Sequence, residues 1–175
     1  MIAEAIRRIR AATDRGTLNC NTNGSLPQRV EQIARAGLDS IRISTNSAQG
    51  PAYTAYYQPR YYRWEDVCES IHRAKALGLY TTINYLVFPG VTDREEELEA
   101  LLNLTRESGL NMIQMRNLSI DPELYLKTVP PARGKCVGMR TVLQTIRREF
   151  PRVEIGYFNR PKELFDTLLC ESLIF

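Results

Sequence analysis

The chain has 175 residues, 43% hydrophobic and 25% charged, which is typical of one globular domain and excludes a disordered chain. Its net charge of +3 neither demands a polyanionic partner nor excludes one. No apolar run approaches the roughly 18 residues that cross a bilayer, and the first residues lack a signal-peptide core, so we expect one cytoplasmic domain over residues 1–175, with no membrane partner.

Short apolar runs alternate with amphipathic segments along the whole chain. Glycines and prolines mark the boundaries of these segments, and the runs rich in β-branched and aromatic residues are predicted to be strands. The predicted elements are helix 2–14, strand 18–22, helix 27–36, strand 40–44, a long connection 45–63, helix 64–77, strand 80–88, helix 93–108, strand 111–116, a connection 118–138, helix 139–150, strand 153–158 and helix 162–173. This alternation predicts an α/β fold with a parallel sheet of about five strands.

Polar residues follow the predicted strands at the point where each strand ends. Because the carboxyl ends of parallel strands meet at one edge, loops from several strands build one ligand site there. The clusters are Asn21–Ser25, Ser44–Ser47, Pro89–Asp93, Arg116–Asn117 and Asn159–Arg160.

The four cysteines are far apart in the sequence and lie at Cys20, Cys68, Cys136 and Cys170. None has the spacing of a zinc site or of a disulfide framework. We expect reduced, mostly structural cysteines and no metal site in this chain.

The order and spacing of these features resemble the C-terminal two-thirds of the partial barrel of radical S-adenosylmethionine (radical SAM) enzymes. The resemblance runs from Leu18 to Asn159. It rests on the Thr22-Asn23-Gly24 turn, on the helix-to-strand passage 36–44 and on the passage 84–93. It implies an incomplete parallel (β/α) barrel, that is, a partial TIM barrel with flanking helices.

In such enzymes three cysteines with the spacing CxxxCxxC hold a [4Fe-4S] cluster, to which S-adenosylmethionine binds. The resemblance implies that the intact parent protein uses both cofactors, cleaves S-adenosylmethionine reductively to a 5′-deoxyadenosyl radical and abstracts hydrogen from an unknown substrate. No cysteine of this chain has that spacing, so the cluster ligands are absent from it. We therefore expect the chain alone to be inactive.

Two interpretations of the missing cysteine loop stay open. The chain is either a fragment of a longer radical SAM protein or a natural remnant whose barrel face has another use, and we favour the fragment. In both cases the first strand would leave one sheet edge unpaired. We expect that edge to be covered by the missing N-terminal segment or by self-association.

Four neutral polar residues are candidates for cofactor binding. The resemblance places Ser44 and Asn46 against the amino-acid or ribose portion of S-adenosylmethionine, where hydroxyl and amide groups bury no net charge. Asn23 is the third, although a turn explains an Asn-Gly pair equally well. Asn84 is the fourth, because an amide inside so apolar a run needs a partner, either the cofactor or a neighbouring strand.

The ends of the last two strands supply candidates for substrate binding. The guanidinium of Arg116 could clamp a carboxylate or phosphate, or form a salt bridge with Asp93 or Asp121 instead. Asn117 and Asn159 are predicted to shape substrate choice from the same edge.

The connection over residues 53–64 concentrates five tyrosines, two arginines and the only tryptophan. Interleaved aromatic and cationic groups can stack bases and meet phosphates, which leaves a non-enzymatic RNA-binding or protein-interaction domain as the alternative function. We favour a lid over the barrel end, in which Tyr56, Tyr57 and Arg60 contact substrate.

The acidic passage that follows the third strand has a structural explanation. Asp93 is predicted to cap a helix, and the run from Glu95 to Glu97 to form its solvated first turn. The sequence offers no convincing pair of nucleophile and base, so catalytic residues stay unassigned and an ordinary cluster-free enzyme ranks last.

Overall fold

The computed structural model describes residues 1–156 and 159–167. Five strands form one sheet in the order β1-β2-β3-β4-β5, and each neighbouring pair is parallel. The strands are β1 (Asn19–Thr22), β2 (Ser40–Thr45), β3 (Tyr80–Val87), β4 (Met112–Asn117) and β5 (Glu154–Gly156). The parallel sheet of about five strands is therefore confirmed.

The helices precede β1 or lie between the strands in sequence. They are α1 (Ile2–Ala12), α2 (Pro27–Arg35), α3 (Gly50–Tyr57), α4 (Trp64–Ala76), α5 (Glu95–Ser108), α6 (Pro122–Thr128) and α7 (Met139–Glu149). A 3-10 helix, Lys162–Leu164, replaces the start of the predicted helix 162–173. The rest of that prediction beyond Thr167, and residues 157–158 of the predicted fifth strand, lie outside the described residues.

Each strand pairs with the one that follows it in sequence, and the order never reverses. Because parallel crossovers have one hand, helices that connect strands in such an order all lie on the same face of the sheet. A doubly wound sheet, whose order reverses at a switch point, would place helices on both faces. The sheet is therefore an arc of a barrel, with an outer face under the helices and an inner face turned away from them.

The outer face holds the hydrophobic core. Five hydrophobic side chains on it are fully buried, namely Ile41, Ile43, Ile83, Tyr85 and Ile113. Each pairs in register with its neighbour across the sheet or packs with the same core cluster. Burial of side chains of this size contributes about 1.5–3 kcal/mol each to folding.

The inner face carries the alternate residues of the same strands and is mostly polar, although Tyr80, Leu86 and Met112 also lie on it. In register across it lie Asn19, Ser40, Arg42, Ser44, Thr82, Asn84, Gln114 and Arg116. This contrast follows from the two-residue period of a strand, which sends successive side chains to opposite faces. The barrel arc thus presents a polar surface where a complete barrel would have its interior.

Residues 159–167, which we call the crossing segment, lie over the amino-terminal half of the inner face. The Lys162 amide donates to Thr17 Oγ1 at 2.8 Å, just before β1, and the Phe165 ring stacks on Tyr80 with centroids 4.4 Å apart. A cavity of about 360 Å³ lies between segment and sheet, lined by residues that include Asn19, Ser40, Arg42, Thr82, Gln114 and Arg160.

Two connections that the sequence predicts as irregular contain helices. Helix α3 lies within the predicted connection 45–63, and α6 within the connection 118–138. The two helices contact each other through Tyr56 and Tyr125, whose ring centroids are 5.6 Å apart. Tertiary packing of tyrosines, and not an amphipathic period, stabilises α3, because its sequence begins with Gly-Pro and has little helix propensity.

Within the described ranges, no helix has the length and apolar character that a membrane span requires. Strand β1 pairs with β2 on one side, and the described residues place no strand on its other side.

Candidate functional site

Ser44 and Asn84 lie side by side in the carboxyl-terminal halves of β2 and β3. The register pairs Ser44 with Asn84, and Asn84 with Gln114 of β4. Both side chains are half-buried on the inner face. The Arg116 Nε donates to Asn84 Oδ1 at 3.0 Å, so a cation also stands at this edge. The structure thus brings three of the predicted site residues together.

Asn46 lies two residues beyond Ser44 and is buried, with 3% of its surface exposed. Its Nδ2 donates to the carbonyl of Ala52 at 3.1 Å and to the Tyr125 hydroxyl at 3.4 Å. Its Oδ1 is buried and accepts no hydrogen bond from the part of the chain that is described. Since an unsatisfied buried acceptor costs about 1–3 kcal/mol, Asn46 is suited to a ligand that donates a hydroxyl.

Asn23 forms a turn at the end of β1. Its Oδ1 accepts the amide hydrogen of Ser25 at 3.1 Å, and the side chain is exposed. The next residue must be glycine: Gly24 has φ +68°, and a Cβ there would lie 3.0 Å from Ile43 Cγ2 in the core. The structure therefore gives Asn23 a role in this turn, one residue beyond the register pair of Thr22 and Ile43.

The predicted lid is helix α3 followed by a short irregular passage. Tyr53 is fully buried, with ring centroids 4.6 Å from Tyr57 and 4.7 Å from Trp64. Burial raises the pKa of Tyr57 to about 12. Tyr56 packs edge-on against Tyr57 at 4.9 Å. The aromatic side chains of this region thus pack mainly on one another.

That packing bears on the alternative function. Tyr53 cannot stack on a base because none of its surface is exposed, whereas Tyr61 is 95% exposed and Arg60 is also exposed. Stacking platforms for single-stranded nucleic acid need several accessible rings along one groove. No observation on the described residues favours nucleic-acid binding over the lid.

Asn117 and Asn159 lie apart from the Ser44–Asn84 pair. Asn117 pairs with Val87, so alternation along β4 points it away from the side of Arg116, and it is exposed. Asn159 belongs to the crossing segment, where its Oδ1 accepts a hydrogen bond from Arg42 Nη2. The sequence predicts Asn159 at the ligand edge. Its partner Arg42 lies two residues before Ser44 on β2, and so closer to the amino ends of the strands.

Arg160 and Glu154 form a buried ion pair that the sequence does not predict. Arg160 is 7% exposed, its guanidinium contacts Glu154, and Glu154 Oε2 accepts the Tyr80 hydroxyl at 2.8 Å. Burial raises the pKa of Tyr80, and the nearby Arg160 opposes that rise. The pair fixes the crossing segment to the first residue of β5.

Two predictions about the acidic passage are wrong. The N-cap of α5 is Arg94, and Asp93 Oδ1 instead accepts the Gly90 amide at 2.5 Å, which closes the Pro89–Gly90 turn. Glu97 is not solvated: it is 3% exposed. The buried face of α5 consists of Glu97, Leu101, Leu104, Thr105 and Ser108.

Glu97 accepts four hydrogen bonds. Ser47 Oγ donates at 2.6 Å, the Ala48 amide at 2.7 Å and Gln49 Nε2 at 2.7 Å, and the Tyr85 hydroxyl is the fourth donor. Burial, followed by the neighbouring Glu97 carboxylate, raises the pKa of Tyr85 well above its usual value. The helical spacing of Glu97 and Leu101 was the available signal, since positions four apart share a face.

The described residues hold no group of three potential metal ligands. Cys20 and Cys68 are half-buried, Cys136 is exposed, and Cys170 lies outside the described residues. Nor does the sequence contain the CxxxCxxC spacing. These residues do not fit a [4Fe-4S] cluster, whereas the neutral groups at Ser44, Asn46 and Asn84 fit a polar cofactor.

Solved structures that share this fold include the following three. The chain is 15% identical to a radical SAM methyltransferase from Sphaerobacter thermophilus, with a TM-score of 0.56 over 81% of this chain and 40% of that one. It is 12% identical to a domain of pyruvate-formate lyase-activating enzyme from Bacteroides vulgatus ATCC 8482, with a TM-score of 0.59 over 88% of both chains. It is 14% identical to Streptococcus suis SuiB bound to S-adenosylmethionine, with a TM-score of 0.54 over 88% of this chain and 36% of that one.

At these identities the likeness shows the fold alone, and the chain spans only about two fifths of the length of the methyltransferase. Curated protein sequences gave no significant match. The model of the radical SAM superfamily matches residues 1–104, which is more than half of the chain. The chain therefore belongs to the radical SAM superfamily.

Proposed function

We propose that the carboxyl edge of the inner face binds S-adenosylmethionine in a radical SAM enzyme. The observation that carries the proposal is the pairing of Ser44 with Asn84 in adjacent strands, beside the buried and unsatisfied Asn46 Oδ1. Hydroxyl and amide groups can bind the ribose hydroxyls and the amino-acid end of the cofactor without burying a net charge. Family membership supports this choice of ligand.

In the intact enzyme, bound S-adenosylmethionine is the source of the radical that abstracts hydrogen from substrate. We propose that the cysteines that hold the [4Fe-4S] cluster belong to another segment of the parent protein, since the 175 residues contain no such motif. The chain alone then binds the cofactor without cleaving it. Arg116, on the same edge as Asn84, is our candidate for holding an anionic group of the substrate.

If α3 is a lid, it belongs to the same site. Tyr56 packs against Tyr125, and Tyr125 accepts a hydrogen bond from Asn46. Helices α3 and α6 together thus cover Asn46. We propose that substrate reaches the cofactor beside these helices, at Tyr56, Tyr57 and the exposed Arg60.

The test is a titration of the isotope-labelled 175-residue chain with S-adenosylmethionine, followed by two-dimensional NMR, which detects millimolar binding. We expect saturable shifts at Ser44, Asn46 and Asn84. In Ser44→Ala the dissociation constant should rise about 5–10-fold, the value of one hydrogen bond. The matched control is Ser40→Ala, on the same strand and face at the opposite end, where Ser40 Oγ donates to Asn19.

Ser40→Ala should bind as the wild type does. Absence of saturable shifts in the wild type, or an equal loss in both serine variants, would contradict the proposed site.

A further inference from the structure

The carboxylate of Glu97 has an environment that helix formation does not require. It lies in the first turn of α5 with 3% of its surface exposed, and no ion pair reaches it within the described ranges. A buried carboxylate without a cation is costly unless hydrogen bonds satisfy its lone pairs. Each of its oxygens accepts two, so the four donors satisfy it fully.

Three of these donors are consecutive residues, Ser47, Ala48 and Gln49. They form the turn between the end of β2 and the start of α3. The turn also closes on itself, because the Gln49 amide donates to Ser47 Oγ at 3.0 Å. Glu97, nearly fifty residues later in the sequence, therefore binds both the backbone and the side chains of this turn.

The fourth donor connects the same carboxylate to the sheet. Tyr85 lies on the outer face of β3, directly across from Thr45 in the register. Glu97 thus joins α5, β3 and the 47–49 turn at one point. Asn46, the residue before that turn, is the buried member of the proposed cofactor site.

We propose that Glu97 is a positioning residue, which fixes the 47–49 turn so that Asn46 and the start of α3 have their ligand-binding arrangement before S-adenosylmethionine arrives. This inference rests on the proposed function. Its physical basis is preorganisation: a turn that folding has already ordered costs no further conformational entropy when the ligand binds. Glu97 does not contact the ligand in this scheme and acts through Asn46.

A purely structural role predicts a different outcome. If Glu97 only stabilised the fold, its replacement would lower the melting temperature and leave the affinity of the folded chain unchanged. Affinity, measured well below the melting temperature of every variant, therefore separates the two roles.

The decisive variant is Glu97→Gln. The amide has nearly the same shape as the carboxylate, but in either orientation its NH₂ group faces one N–H donor, of Ala48 or of Gln49, that cannot accept. At least one of the four hydrogen bonds is therefore lost, and the hydroxyl on that side must reverse its direction. The matched control is Glu96→Gln. The neighbouring Glu96 carboxylate accepts the amides of Arg133 and Gly134 at 2.7 Å, in another segment, and makes no contact with the 47–49 turn.

We expect Glu97→Gln to raise the dissociation constant for S-adenosylmethionine at least 10-fold and Glu96→Gln to change it less than 2-fold. Without ligand, hydrogen exchange at the Ala48 and Gln49 amides should be at least 10-fold faster in Glu97→Gln than in the wild type. In Glu96→Gln it should be unchanged. The Asn46 side-chain amide signal should shift with ligand in the wild type and lose that response in Glu97→Gln.

If Glu97→Gln fails to fold, Gln49→Ala gives the same test, because it leaves the carboxylate three donors. Its dissociation constant should rise about 3-fold, with faster exchange in the turn. Unchanged affinity in the folded variants beside normal wild-type binding would overturn this inference alone. No binding by the wild type would overturn the proposed function and this inference together, whereas the exchange data would still report whether Glu97 holds the turn.

Discussion

The two faces of the sheet have opposite chemistry although they share the same strands. Ile83 of β3 is fully buried on the outer face, and Asn84, the next residue, is half-buried among polar groups on the inner face. The outer face gains stability from close packing, which tolerates little change in volume. Around Ser44 and Asn84 the inner face is only half-buried, so residues there can be selected for ligand chemistry. Neighbouring residues of one strand can therefore serve stability and function separately.

The largest effect that tests this separation is a substitution on the outer face. Ile83→Ala should lower the free energy of unfolding by about 2–4 kcal/mol, because it removes buried methyl groups and leaves a cavity. Asn84→Ala, one residue further, should lower it by less than about 1 kcal/mol, since the exposed Arg116 that it leaves can be solvated. Urea denaturation of both variants measures the difference. Equal losses would mean that the two faces contribute equally to stability.

A smaller loss of stability is expected at the turn after β1, where Gly24 contacts Ile43 of the hydrophobic core. Gly24→Ala should cost about 2 kcal/mol, because Gly24 has φ +68° and the new Cβ would press on Ile43 Cγ2. Gly16→Ala is the control: its φ is +72°, but no atom lies within 4 Å of the added Cβ. It should cost about 1 kcal/mol from backbone strain alone. Thermal unfolding distinguishes the two, and equal shifts would show that the contact with Ile43 relaxes freely.

The smallest effect is kinetic and concerns the helix layer over the outer face. Burial raises the pKa of the Cys68 thiol on α4 to about 11, whereas Cys136 is exposed. At pH 8 only about one Cys68 in a thousand is a thiolate, so iodoacetamide should modify Cys136 first. Below the raised pKa, the Cys68 rate should increase about tenfold per pH unit. Mass spectrometry of the labelled peptides measures both rates, and equal rates at pH 8 would mean that the helix layer opens often.

The sheet could be predicted from the sequence because its signals are local. β-Branched and aromatic runs lie between helix-ending glycines, as in the passage from Gly78 to Val87, and these features need no knowledge of distant contacts. Helix α6 also had a local signal, since Asp121 caps it by accepting the Leu124 amide at 2.8 Å and Pro122 follows. The Asp-Pro pair could have identified it.

Strand alternation predicts only part of the candidate site. Ser44 and Asn84 share a face because of the two-residue period and the register. Asn46 was predicted from the family resemblance, but its burial was not. The burial of Glu97 was missed because a run of three glutamates is typical of a solvated helix start, although the spacing of Glu97 and Leu101 places both on one face. The buried pair of Arg160 and Glu154 likewise depends on where the crossing segment runs.

The crossing segment also bears on how the chain folds. Each strand of the sheet pairs with the next one along the chain, so the sheet can grow stepwise with modest loop-closure entropy. The hydrogen bond from the Lys162 amide to Thr17 spans 145 residues and joins the last described segment to the passage just before β1. Contacts of such high sequence separation slow folding and form after local ones. The polar face is thus exposed while the sheet assembles, and its amino-terminal half is covered last.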